Sequence, residues 1–174
     1  NFFAILFASI LSPIFEIISA KTYLYREEWE ASLKAALHLN ANELVYIDKR
    51  YGELLGDVIN TFITEFEIGN IDFIASHGHT VLHQPNRGVT LQIGDGQTIA
   101  DITGIKVICD FRTQDVNLGG QGAPLVPIGD ELLFSSYDYC LNLGGFANIS
   151  YKLNSKRIAF YYWPGHFCSD YQGN

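Results

Sequence analysis

Short apolar runs along this chain repeatedly stop at glycine or a charged residue, and this punctuation constrains the fold more than any other feature. The run 71–76 gives way to His77-Gly78, and 89–93 gives way to Gly94-Asp95-Gly96. The run 105–111 carries Asp110-Phe111-Arg112 at its end, and 139–143 stops at Gly144-Gly145. Amphipathic stretches lie among these strand-like runs. Residues 26–38 place Trp29, Leu33 and Leu37 on one face, and residues 43–66 keep Leu44, Ile47, Tyr51, Leu55, Val58 and Phe62 on one wide stripe. Asn40, three residues before Glu43, is a capping-type start for that longer helix, and Gly69-Asn70 ends it. The pattern further predicts a strand over 15–25, short helices over 97–103 and 128–134, and a hairpin of 146–153 with 157–160. Strands interleaved with helices indicate an α/β fold. In such sheets the ligand crevice lies beyond the carboxyl ends of the strands, so the polar clusters are expected to converge on one cleft.

Charge narrows the range of partners. The 174 residues carry a formal net charge of −8, and the densest basic spot, Lys152 to Arg157, holds three charges. A nucleic-acid backbone would be repelled by such a field, so nucleic acid is not an expected partner. Nucleotide phosphates remain compatible with it, because backbone N–H groups and a metal ion can hold them without a basic surface. With hydrophobic residues at 48% and charged residues at 17%, the composition is that of a folded chain.

Residues 2–15 are nearly all apolar, yet too few for a membrane span, and Pro13 and Glu16 end the run. They read either as a buried segment or as a signal-peptide core, although no basic residue precedes them. There is no Met at position 1 or elsewhere, so the sequence is not expected to begin at a natural start. Cys109, Cys140 and Cys168 form no CxxC pair. Cys109 and Cys140 sit in apolar runs and are expected as buried thiols in a reducing compartment.

Each motif has two readings. Asp110 at the end of an apolar run, partly shielded, suits a general base for an attacking hydroxyl or water, or else caps a loop or pairs with Arg112. The loop 118–124, Leu-Gly-Gly-Gln-Gly-Ala-Pro, exposes backbone that can approach a ligand, or simply turns the chain before a helix. It is neither a Walker loop nor a dinucleotide fingerprint. Residues 141–148 form a strand, a di-glycine turn and a returning strand, able to present N–H groups to a phosphate or to serve as an ordinary hairpin. His77, His79 and His83 lack a fourth ligand at a usual zinc spacing, which favours a polar contact to a sugar hydroxyl or satisfied core histidines.

Taken in order, Ser76-His77-Gly78-His79-Thr80, Leu91-Gln92-Ile93-Gly94-Asp95-Gly96, Asp110-Phe111-Arg112, the nine residues Gly119 to Pro127, and the ten residues Leu141 to Ser150 resemble the anhydro-N-acetylmuramic acid kinase family. The likeness covers about residues 17–160. It implies an actin-like, hexokinase-type ATPase fold, with residues 1–134 as the first lobe and 135–174 as the beginning of the second. It implies a cytoplasmic enzyme of cell-wall recycling that uses ATP, Mg²⁺ and water to open the 1,6-anhydro ring of anhydro-N-acetylmuramic acid and phosphorylate O6. Carried over by motif, Asp110 is the catalytic base. His77, Gly78, Thr80, Arg112, Gly120, Gln121 and Gly122 fall on the sugar side, and Gly144, Gly145 and Asn148 on the nucleotide-phosphate hairpin. No metal ligand is assigned.

The sequence departs from the family at both ends. Where the family has a strand and a Gly-Thr-Ser-x-Asp-Gly turn, residues 1–14 are apolar, and Tyr161 and His166 stand where an aspartate and an asparagine are expected. The expectation is therefore of a chain truncated at both ends. It is either a kinase or an inactive remnant or fragment that at most binds an amino sugar, with a secreted sugar-binding domain as the reading if residues 2–15 are a signal. Apolar faces on 141–149 are expected to be exposed, which would favour a homodimer.

Overall fold

The computed structural model describes residues 2–11, 14–123, 125–143, 147–154 and 156–162. The fold is mixed α/β, in two compact units, Asn1–Gly122 and Ala123–Asn174. In the first unit the apolar N-terminal run forms a strand, β1 (Phe2–Leu11), paired antiparallel with β2 (Ile14–Leu24). Helix α1 (Glu27–Ala35) follows and runs on into a 3-10 turn, Ala36–His38. Helix α2 (Ala41–Glu65) starts where Asn40 predicted. The Asn40 side chain accepts from the Asn42 and Glu43 N–H groups, and Glu43 reaches back to the Asn40 N–H at 2.8 Å.

The stripe of α2 builds the core. Ile47, Tyr51 and Leu55 are buried with Leu33, Ile93 and Ile99, and Phe3, Trp29, Val81 and Val107 pack around them. Tyr25 and Tyr51 hydroxyls meet at 2.5 Å, which satisfies both phenols where they leave water.

Two short sheets position the site. Strands β3 (Ile74–Ala75) and β6 (Val107–Ile108) pair in parallel, and Ser76 N–H extends the ladder to the Ile108 carbonyl at 2.8 Å. Strands β4 (His79–Gln84) and β5 (Val89–Ile93) pair antiparallel. Helix α3 (Gly96–Thr103) lies between β5 and β6, and the five-residue α4 (Thr113–Asn117) follows β6.

The structure differs from the sequence reading in three places. The runs 71–76 and 105–111 contain only two strand residues each, and past the carboxyl end of the second Asp110 turns out of extended geometry at φ +56°. The polar β4 escaped notice because a register shift between Thr80 and Leu82 blurs its alternation. Cys109 is exposed and Cys140 only half-buried, so neither is the buried thiol expected.

In the second unit, α5 (Leu125–Leu133) begins three residues earlier than predicted, since Pro127 falls in the first turn, where a missing N–H costs nothing. Strands β7 (Tyr139–Leu143), β8 (Ala147–Leu153) and β9 (Lys156–Tyr162) form an antiparallel meander. Buried Ser150 donates to Asp130, and Arg157 pairs with Glu131 at 3.2 Å. Tyr139 and Leu141 leave large parts of their side chains exposed. No helix among the described residues is long and apolar enough to cross a membrane.

Candidate functional site

Because β3 and β6 are parallel neighbours, their carboxyl ends release His77 and Asp110 side by side. A cleft of about 210 Å³ opens there, lined by Ser76, His77, Gly78, Gln92, Asp95, Cys109, Asp110 and Thr113, with Asp48 reaching in from α2. The site therefore sits where an α/β sheet is expected to hold a ligand.

Asp110 is held in a posture that an unstrained loop would not choose. Its φ of +56° places a side chain in the left-handed region, at a cost of roughly 1 kcal/mol. The carboxylate offsets this by accepting from Thr113, from Oγ1 at 2.6 Å and from N–H at 3.4 Å, both through Oδ1. Its Oδ2 has no partner among the described residues. One oxygen anchored and the other free is the posture of a general base, although Asp110 is exposed, not partly shielded as expected.

Arg112 does not pair with Asp110 among the described residues. Its Nε donates to His77 Nε2 at 2.9 Å and its Nη1 to the Gly122 carbonyl at 2.7 Å. Guanidinium only donates, so His77 Nε2 is bare and the ring proton sits on Nδ1, 3.1 Å from the Gly78 carbonyl. His79 instead packs edge-on against Tyr51, where burial holds its imidazole below the usual range. His83 lies near the Thr90 hydroxyl at 3.3 Å. The three histidines thus go three ways, and no group of three or more His, Cys, Asp or Glu among the described residues is arranged to hold a metal.

The floor of the cleft is acidic but well ordered. Asp48 Oδ1 accepts the Gly94 N–H at 2.7 Å, and burial, followed by the nearby Asp95 charge, pushes its carboxyl above the ordinary value. Asp95 caps α3 through Thr98, at 2.8 Å from N–H and 2.6 Å from the hydroxyl, and those bonds hold its carboxyl low. Gln92 donates to Thr90 at 2.9 Å while its Oε1 is buried without a partner.

Among the residues expected on the sugar side, the structure brings together His77, Gly78 and Asp110, with Arg112 joining His77 to Gly122. Thr80 stands on β4 and Gln121 is exposed on the glycine loop, and neither lines the cleft. The loop does not open its amides outward as expected. Gly119 N–H bonds the Val116 carbonyl at 3.0 Å, Gly120 N–H the Asp115 carbonyl at 2.7 Å, and Gly122 N–H the Asp115 carboxylate at 2.6 Å. Gly144 and Gly145 lie outside the described residues, and Asn148 is on β8, opposite Asn142 and Tyr161.

The same stretch is what known proteins share. Residues 19–171 match the family model described as Anhydro-N-acetylmuramic acid kinase. The chain belongs to this family. An anhydro-N-acetylmuramic acid kinase of Shewanella baltica is 50% identical over 117 residues, covering 63% of this chain and 32% of the relative. That of Shewanella denitrificans is 48% identical over 138 residues, covering 74% of this chain and 37% of the relative. The chain spans about a third of the length of these curated relatives.

Asp48, Asp115 and Thr113 go unmarked in the sequence reading, and Gln92 enters it only as part of a motif. Asp48 lies within a helix whose apolar stripe drew attention away from its polar face. Asp115 and Thr113 belong to α4, too short to show periodicity, although an Asp three residues before a Thr is itself a capping signal.

Proposed function

We propose that the first-unit cleft is the sugar side of an ATP-dependent kinase acting on 1,6-anhydro-N-acetylmuramic acid in the cytoplasm, as part of cell-wall recycling. Asp110 Oδ2 takes a proton from the water that attacks the anomeric carbon. Water's hydroxyl stays on that carbon as its bond to O6 breaks, and O6 takes the γ-phosphoryl group of the co-substrate ATP, which carries Mg²⁺ and leaves as ADP. The observation that carries this reading is the strained, Thr113-anchored Asp110 beside His77 at the ends of two parallel strands, in a chain of this family. His77, held in place by Arg112, stands in the lining of the cleft beside Asp110, where its ring borders the sugar. The likeness supports an actin-like fold, with residues 1–134 in the first lobe and 135–174 opening the second. Gly144, Gly145 and Asn148 are the phosphate-side residues of this reading, while Thr80, Gly120 and Gln121, which do not line the cleft, are given no direct sugar contact. Homodimerisation through the exposed face of β7 belongs to the same proposal.

A second reading, sugar binding without phosphoryl transfer, is favoured by the lining of the cleft. Its charged side chains are Asp48, Asp95 and Asp110, which do not fit a polyphosphate, so this cleft suits the sugar half of the chemistry. One experiment separates the two. The purified chain is incubated with ATP, Mg²⁺ and the anhydro sugar, and the 6-phosphate is sought by mass spectrometry beside an Asp110→Asn control. Product above the control is expected of the kinase. Calorimetric sugar binding without product is expected of the second reading, and the absence of both excludes each.

A further inference from the structure

We propose that Asp115 is a positioning residue of this site, acting through the glycine loop and Arg112 on His77; this rests on the reading of the cleft as a sugar site. Gly122, which is buried, is clamped at both of its polar ends. Its N–H donates to Asp115 Oδ2 at 2.6 Å, and its carbonyl accepts from Arg112 Nη1 at 2.7 Å. The same guanidinium donates from Nε to His77 Nε2 at 2.9 Å, and His77 lines the cleft with Asp110. Carboxylate, loop, guanidinium and imidazole are thus one chain of charge-assisted bonds, in which the rigid Arg fork transmits the position of the loop to the ring.

The loop is shaped around this carboxylate. Gly120 lies so close over Asp115 that a Cβ there would collide with its side-chain oxygens, and the Gly120 N–H closes onto the Asp115 carbonyl at 2.7 Å. Without the carboxylate, the Gly122 N–H is left buried and unpaired, the loop relaxes, and the Gly122 carbonyl moves away from Arg112. Arg112 then no longer fixes which nitrogen of His77 carries the proton.

The test reads the ring directly in the free, full chain. Long-range ¹H–¹⁵N spectra of wild type are expected to show His77 with its proton on Nδ1, and the Gly122 amide to exchange slowly. Asp115→Ala is expected to mix the two tautomers, speed Gly122 exchange by at least ~10-fold, and weaken anhydro-sugar binding ~10- to 100-fold. Asp115→Asn keeps an acceptor oxygen and is expected to restore the ring signature. An unchanged ring signature and Gly122 exchange in Asp115→Ala would overturn the proposal. If that variant does not fold, Arg112→Ala decides, because it removes both donors, the one to His77 and the one to the Gly122 carbonyl. Tautomer mixing with slow Gly122 exchange is expected, and an unchanged ring overturns the relay. A wild type that shows the signature but binds no sugar refutes the functional reading while leaving the relay in place.

Discussion

Gly78 and Gly88 share one backbone conformation in different surroundings, which makes them a matched pair. Their φ angles are +68° and +70°. Alanine at either site should cost about 1–2 kcal/mol for holding a Cβ in the left-handed region. At Gly88 nothing lies within 4 Å of the added methyl, so the cost ends there. At Gly78 the methyl would overlap the Ile93 carbonyl oxygen, and Ile93 is 1% exposed and locked into the β4–β5 ladder opposite His79. That carbonyl cannot retreat without breaking the ladder, which adds roughly 2 kcal/mol of overpacking. Gly78→Ala is therefore predicted to destabilise by ~3–4 kcal/mol and Gly88→Ala by ~1–2 kcal/mol. Urea unfolding followed through Trp29 fluorescence, in a Trp163→Phe background, measures both at constant slope. Equal losses in the two variants would refute the placement of Gly78 against Ile93, and with it the tight seam between the His77 turn and the end of β5.

Two further outcomes follow from the same packing. Ile99 is fully buried where α3 meets the core, so Ile99→Ala should lower unfolding stability by ~2–5 kcal/mol, read by the same titration. Asp48 is held above its ordinary value by burial, so its contribution to stability is full below the unfolded value of 3.8 and is lost as pH rises through the raised folded value. Asp48→Asn keeps the acceptor for Gly94 without the charge and should gain stability relative to wild type across that window, with the gain levelling off above it; a variant that tracks wild type at every pH contradicts this.

The long elements were legible because their physics is local. Helix α2 announced itself through its apolar stripe and its Asn40–Glu43 box, and both are present as hydrogen bonds. The strand-end rule likewise placed His77 beside Asp110, since a parallel pairing of two residues is enough to aim both. What escaped was set by contacts distant in sequence. The Arg112 fork spans 35 residues to His77, and Asp48 reaches 46 residues to Gly94, and no local pattern encodes either. The glycine loop misled for a related reason. Glycines permit amides to face outward, but here Asp115, a residue with no motif of its own, turns them in.

In the proposed function the cleft at the ends of β3 and β6 is a sugar site served by Asp110. The most direct measurement is an NMR titration of the ¹⁵N-labelled chain with 1,6-anhydro-N-acetylmuramic acid, without nucleotide. Saturable shifts concentrated at His77, Gly78, Gln92, Asp110 and Gly122 are predicted, with Asp110→Asn still binding. No saturable shift at these residues, or shifts confined to residues away from the cleft, would contradict the claim.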